Sequence, residues 1–270
     1  MTTSAHRQRQ PLPYDHYVDA IEREAARFAA TVAAGKPTTA VPTCHGWTLA
    51  DLTRHVGSVH RWFSVLLVRL DQEPPRSRQV DLDLPASEDA LADWFSAGLP
   101  QVSAVLRATD PQDAMWAWGP DHHARFWARR MLFETLVHRV DAERALGLSP
   151  TIDPALAADG VDEFLVNLPY AGSFAPDVAK LRGTDEAIRF QSIDPDPDPD
   201  AAGDWVVRLR PDGFGIEPEP EPVRPEQARV RGRAADLLLL IYGRMTYSDG
   251  AFDVWGDEQL LTRWFTHSTF

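Results

Sequence analysis

Cysteine is nearly absent. Cys44 is the single one among 270 residues, which excludes an intrachain disulfide and any zinc site built on several thiolates. Thiol chemistry here has Cys44 as its only internal source; otherwise the thiol arrives as a cosubstrate. Positive charge is also scarce. Lysine and arginine number 27 against 40 aspartates and glutamates, and the formal charge of -13 disfavours nucleic acid and anionic lipid as partners. Long apolar runs are missing too: LLLLI at 237–241 is far too short to span a bilayer. The N-terminal MTTSAHRQRQPLP is polar and proline-bearing, without a signal peptide's apolar segment, so the cytoplasm is the expected compartment. These shortages leave a soluble protein acting on a small molecule.

What is present is ordinary globular composition, 44% hydrophobic and 25% charged, so the chain is expected to fold, and its length allows two domains. Apolar residues spaced by three and four predict a helix over 15–34, stopped by Gly35 and Pro37. A second runs over 48–70, where Thr48 and Asp51 form a capping-box-like start and Leu52, Val56, Val59, Phe63, Leu66 and Leu70 form one stripe. A third covers 87–107, with Gly98 and Pro100 predicting a kink or break. The fourth, 124–146, ends at Gly147 with Pro150 just beyond. Four such helices with modest connections predict a four-helix bundle. Asp153 and Pro154 start a further helix.

After residue 185 the texture changes. AIRFQSI, DWVVRLR and ARVRG read as short strands, separated by the acidic proline runs at 194–200 and 217–222, which read as solvated loops. Helix returns in AADLLLLIYGRM and GDEQLLTRWF. The fold class is therefore α+β in two domains, 1–150 and 151–270, joined somewhere within 147–175.

Within the fourth helix, FETLVHRVD places Glu134 and His138 one turn apart on one face, with Arg130 and Asp141 close to it. A carboxylate and an imidazole so spaced can clamp a divalent metal, and can equally be a solvated pair or a packed histidine. His55 borders the buried stripe of the second helix, where a hydrogen-bonded core histidine is the plain alternative. If the two helices face each other, His55 completes a His2Glu set that leaves a fourth position open, the pattern of catalytic zinc. His122 and His123 fall in the loop before the fourth helix and read as solvent-facing. Cys44 precedes a helix N-terminus, where the dipole would favour a thiolate, or packs as a small residue with Trp47. Trp116, Trp118 and Trp127 read as packing or as an aromatic pocket wall.

VPTCHGWTLADLTRHVGSVHRW (41–62), MWAWGP (115–120), RRMLFETLVHRVDAE (129–143), VRGRAADLLLLIYGR and VWGDEQLL together resemble the maleylpyruvate isomerase family of mycothiol-dependent enzymes, in this order and over most of the chain. The resemblance implies a DinB-like four-helix bundle binding zinc or another divalent metal, followed by a small α/β C-terminal domain. It implies metal ligands at His55, Glu134 and His138, and mycothiol as thiol cosubstrate attacking a small electrophilic substrate. It also places a GR motif at Arg244, a candidate cation for a substrate carboxylate in a cleft between domains. Cis-trans isomerisation and thiol S-transfer both remain open, as does a non-catalytic binding protein. Two departures touch the site: Cys44-His45-Gly46-Trp47 stands where members commonly read CPGW, and Leu132-Phe133 where they carry a small residue and a histidine.

Overall fold

The computed structural model describes residues 11–74, 80–194, 203–217 and 225–269. Most of the two acidic proline loops, 195–200 and 218–222, therefore lies outside the described residues. Helix α1 (Tyr14–Ala34) packs on α3 (Leu91–Ala108) and α4 (Ala124–Ala145), and α2 (Leu49–Arg69) packs on the same two, which closes a four-helix bundle. The capping box of α2 forms as the sequence predicts: Thr48 Oγ1 accepts from Asp51 N, and Asp51 Oδ2 accepts from Thr48 N at 3.0 Å.

Helix α3 is not broken at Gly98 or Pro100. Proline removes one backbone donor, yet Leu91, Trp94 and Phe95 before it and Val102 and Leu106 after it are buried, so packing holds both halves to the bundle. Its first expected turn, Glu88–Ala90, is a 3-10 turn instead. Helix α4 is buried around nearly its whole circumference, charged residues included. Arg139 there is fully buried and bonds Glu24 Oε2 of α1 at 2.7 Å, Glu143 Oε2 at 2.8 Å and Thr151 O at 3.0 Å. Removing the Arg139 guanidinium would strip both carboxylates of their buried cation.

A second compact unit begins at Ile152; the bundle unit is Leu12–Thr151. Helix α5 (Pro154–Asn167) starts as expected, Asp153 accepting from Ala155 N and Leu156 N ahead of Pro154. A five-stranded mixed sheet follows in the order β3-β2-β1-β4-β5, comprising β1 (Ala187–Ser192), β2 (Asp204–Arg210), β3 (Gly213–Ile216), β4 (Ala228–Gly232) and β5 (Asp253–Gly256). β1 pairs antiparallel with β2 and parallel with β4. Helices α6 (Ala234–Ile241) and α7 (Glu258–His267) pack on β4. At the end of α6, Gly243 takes φ 71°, its N–H bonds Leu240 O, and Arg244 N bonds Leu239 O at 2.7 Å. That Schellman closure fixes the backbone of Arg244 just past the helix. Among the described residues no helix is long and apolar enough to cross a membrane.

Candidate metal centre

Helices α2 and α4 bring the three sequence-predicted ligands together. His55 Nε2 lies 2.9 Å from Glu134 Oε1, and His138 Nε2 lies 3.4 Å from the same oxygen. The two imidazoles meet edge to face, with centroids 4.9 Å apart. One donor atom from each of the three residues falls within 4.8 Å of the others, a spacing one ion can bridge. An ionised carboxylate only accepts, so both Nε2 atoms direct protons at Glu134 Oε1, where a dication would otherwise satisfy the same three groups.

The second carboxylate oxygen is held separately. Arg130, buried on α4, donates Nη2 to Glu134 Oε2 at 2.8 Å. Burial by itself would raise the Glu134 pKa, but the bonds from His138 and His55 and the charges of His138 and Arg130 outweigh it and hold the carboxyl well below the usual range. Burial would likewise depress His138, yet bonds to Asp141, Cys44 and Glu134 hold its pKa well above the ordinary histidine value. A buried imidazole kept cationic reports a strongly negative surround, one that a metal cation would also satisfy.

Beside these three residues, Asp141 Oδ2 accepts from His138 Nδ1 at 2.9 Å. Asp141 is fully buried and takes two more bonds, from Thr43 Oγ1 at 2.6 Å and from Cys44 Sγ at 3.3 Å. The Trp47 ring stacks on His138 at 6.3 Å and tilts against His55 at 5.2 Å. His55 retains 33% side-chain exposure against 11% for His138, so solvent reaches the set from the α2 side.

Other candidates go elsewhere. His122 is exposed, and His123, the N-cap residue of α4, pairs with Asp121 at 2.6 Å. Neither belongs to a metal-competent group among the described residues. Trp116, Trp127 and Trp62 cluster at centroid spacings of 5.3–6.3 Å, with Trp127 Nε1 bonded to Trp116 O, so they pack on one another. Cys44 packs near Trp47 and also serves Asp141. Arg244 donates Nη1 to Tyr242 O at 2.7 Å. The Thr43 contact leaves no local signal in the sequence, because only tertiary folding joins residues 98 positions apart.

The family model described as the mycothiol maleylpyruvate isomerase N-terminal domain matches residues 18–143, and the MDMPI C-terminal domain model matches 155–263. A crystal structure of the mycothiol-dependent maleylpyruvate isomerase superposes with a TM-score of 0.59 at 14% identity, covering 90% of this chain and 93% of that one. A histidine-to-alanine mutant of it gives a TM-score of 0.58 at 13% identity, with the same 90% and 93% coverage. At that identity the likeness establishes the fold. Among curated proteins none is similar enough to match. The two domain models, in sequence and across most of its length, show that this chain belongs to the mycothiol maleylpyruvate isomerase family, a family of enzymes.

Proposed function

We propose that His55, Glu134 and His138 hold one divalent metal ion, zinc in preference to others, and that the protein uses mycothiol to isomerise a small conjugated acid from cis to trans. The observation that carries this is the convergence of two Nε2 atoms on one oxygen of Glu134, within the 4.8 Å cluster. Two imidazoles and a carboxylate suit zinc and leave a position for an incoming sulfur. When bound, such an ion stabilises a thiolate over a thiol near neutral pH and so supplies a nucleophile that the chain's single cysteine need not provide.

The chain's own residues orient and shield. Asp141 accepts from Nδ1 of His138, so Nε2 is the nitrogen presented to the ion. Arg130 fixes the far oxygen of Glu134 and leaves Oε1 for coordination. Trp47 covers one side of both imidazoles and limits water there. Arg244 is assigned the substrate carboxylate, whose neighbouring enolate charge develops as the thiol adds to the double bond; rotation and loss of the thiol then give the trans acid. This chemistry suits the cytoplasm, a reducing compartment that keeps thiols free.

The test is metal content by elemental analysis of wild type beside His138→Ala, followed by calorimetric titration of both with mycothiol. Near-stoichiometric zinc in wild type, lost in the variant together with thiol binding, is the expected result. Wild type that cannot be loaded with zinc would refute the reading. Product analysis then separates isomerase from S-transferase: thiol recovered unchanged after turnover is expected, whereas a stable thioether would replace isomerisation with transfer.

A further inference from the structure

The loop before α2 is closed on itself. Val41 N bonds Trp47 O at 2.9 Å, Cys44 N bonds Val41 O at 3.1 Å, and Trp47 N bonds Cys44 O at 2.9 Å. Gly46 turns the chain with φ 79°, a backbone conformation that glycine takes without strain. Thr48 follows directly and caps α2, so residues 41–47 and the first turns of α2, which carry His55, form one hydrogen-bonded piece. His138 stands on α4. Two side chains of the loop, Thr43 and Cys44, reach α4 and bond Asp141, which also accepts from His138 Nδ1. Asp141 is fully buried, so its charge depends on those donors.

From this connection we infer that Asp141 and Thr43 are positioning residues: they lock the loop of α2 to His138 and thereby set the orientation of His138 relative to His55. The inference rests on the metal centre proposed above. Thr43 Oγ1 has a single hydrogen and gives it to Asp141 Oδ1, leaving Oδ2 to take Nδ1–H of His138. The imidazole can then present only Nε2 to Glu134 and His55. Outer carboxylates of this kind raise metal affinity by holding a ligand's tautomer and ring plane. Cys44 offers a competing arrangement, because its sulfur, His138 and Asp141 also form a donor group within 4.8 Å. That set would use the opposite nitrogen of His138, so the two arrangements are spectroscopically distinct.

The experiment titrates metal-free wild type, Asp141→Asn, Thr43→Val and Thr43→Ser with cobalt(II), reading the visible ligand-field bands and the near-ultraviolet sulfur-to-cobalt region, with no thiol added. Asp141→Asn should bind cobalt about 10- to 100-fold more weakly, with altered visible bands. Thr43→Val should weaken binding about tenfold, and Thr43→Ser should restore it, since only the hydroxyl is at issue. Thermal unfolding of metal-free Thr43→Val should match wild type, which separates positioning from folding and keeps the test decisive even if Asp141→Asn fails to fold. Equal affinity and identical bands in wild type and Thr43→Val would overturn the inference while leaving the centre intact. A sulfur-to-cobalt band in wild type that vanishes in Cys44→Ser would overturn it in favour of Cys44 as a ligand. Wild type that binds no cobalt would overturn the centre and this inference with it.

Discussion

Within Leu12–Thr151, one buried side-chain nitrogen without a partner among the described residues is Nδ1 of His60. Thr135 Oγ1 gives its hydrogen to Met131 O at 2.7 Å, so towards His60 Nε2, 2.8 Å away, it must accept. The ring is therefore the Nε2–H tautomer, and Nδ1 has no partner among the described residues. Burial pushes the pKa from 6.5 to about 4; Glu134 opposes that shift, while Arg61 and His55 add to it. Below pH 6.5 the unfolded chain takes up a proton that the native histidine refuses, so stability falls with pH until about 4, where the native form protonates as well. Between pH 7.5 and pH 5 the wild type should lose roughly 2 kcal/mol more than His60→Gln, measured by urea unfolding of both at each pH. His138 titrates in the opposite sense, but it is common to both proteins and cancels in the comparison. Equal losses would mean that His60 is solvated or protonated in the fold.

Helix against helix, α2 approaches α3 closely at Gly57, where a Cβ would overlap the ring of Trp94. The indole is pinned there, its Nε1 bonded to Leu82 O at 3.2 Å and its face covered by the Arg61 guanidinium 3.8 Å from the ring centroid. Alanine at 57 gains about 1 kcal/mol of helix propensity and still should lower stability by about 1–3 kcal/mol net, because neither α2 nor α3 can yield without exposing Phe95 and Val56. An unchanged urea midpoint would show that Trp94 has a second position. Helices of this kind were legible in the sequence, since caps and apolar spacing are local signals: Thr48 with Asp51, Asp153 with Pro154. β3 and β5 were not. Every residue of β5 is exposed and every residue of β3 is half-buried, so the alternation that marks a strand never appears. The site divides in the same way. Glu134, His138 and Asp141 share one helix face and could be read by spacing, whereas the Thr43 and Cys44 contacts arise only from packing α2 on α4.

Across the whole molecule, the residues proposed for the metal and the residue proposed for the substrate carboxylate fall in different compact units. His55, Glu134, His138 and Asp141 all belong to Leu12–Thr151, and Arg244 belongs to the unit that begins at Ile152. A net charge of -13 makes a fixed cation valuable to an anionic substrate, because the surrounding field repels it. Metal binding and carboxylate recognition should therefore fail independently. Arg244→Gln should keep wild-type metal content and lower kcat/KM on a conjugated diacid by about 100-fold, in the range seen when one charge-stabilising donor is removed. Arg244→Lys should recover only part of that loss, since an ammonium keeps the charge but lacks the two-pronged geometry a guanidinium offers a carboxylate. Full recovery by lysine would reduce the contribution to charge alone. Lost metal in Arg244→Gln, or an unchanged kcat/KM, would take Arg244 out of substrate recognition and leave it a structural part, its Nη1 bonded to Tyr242 O at the end of α6.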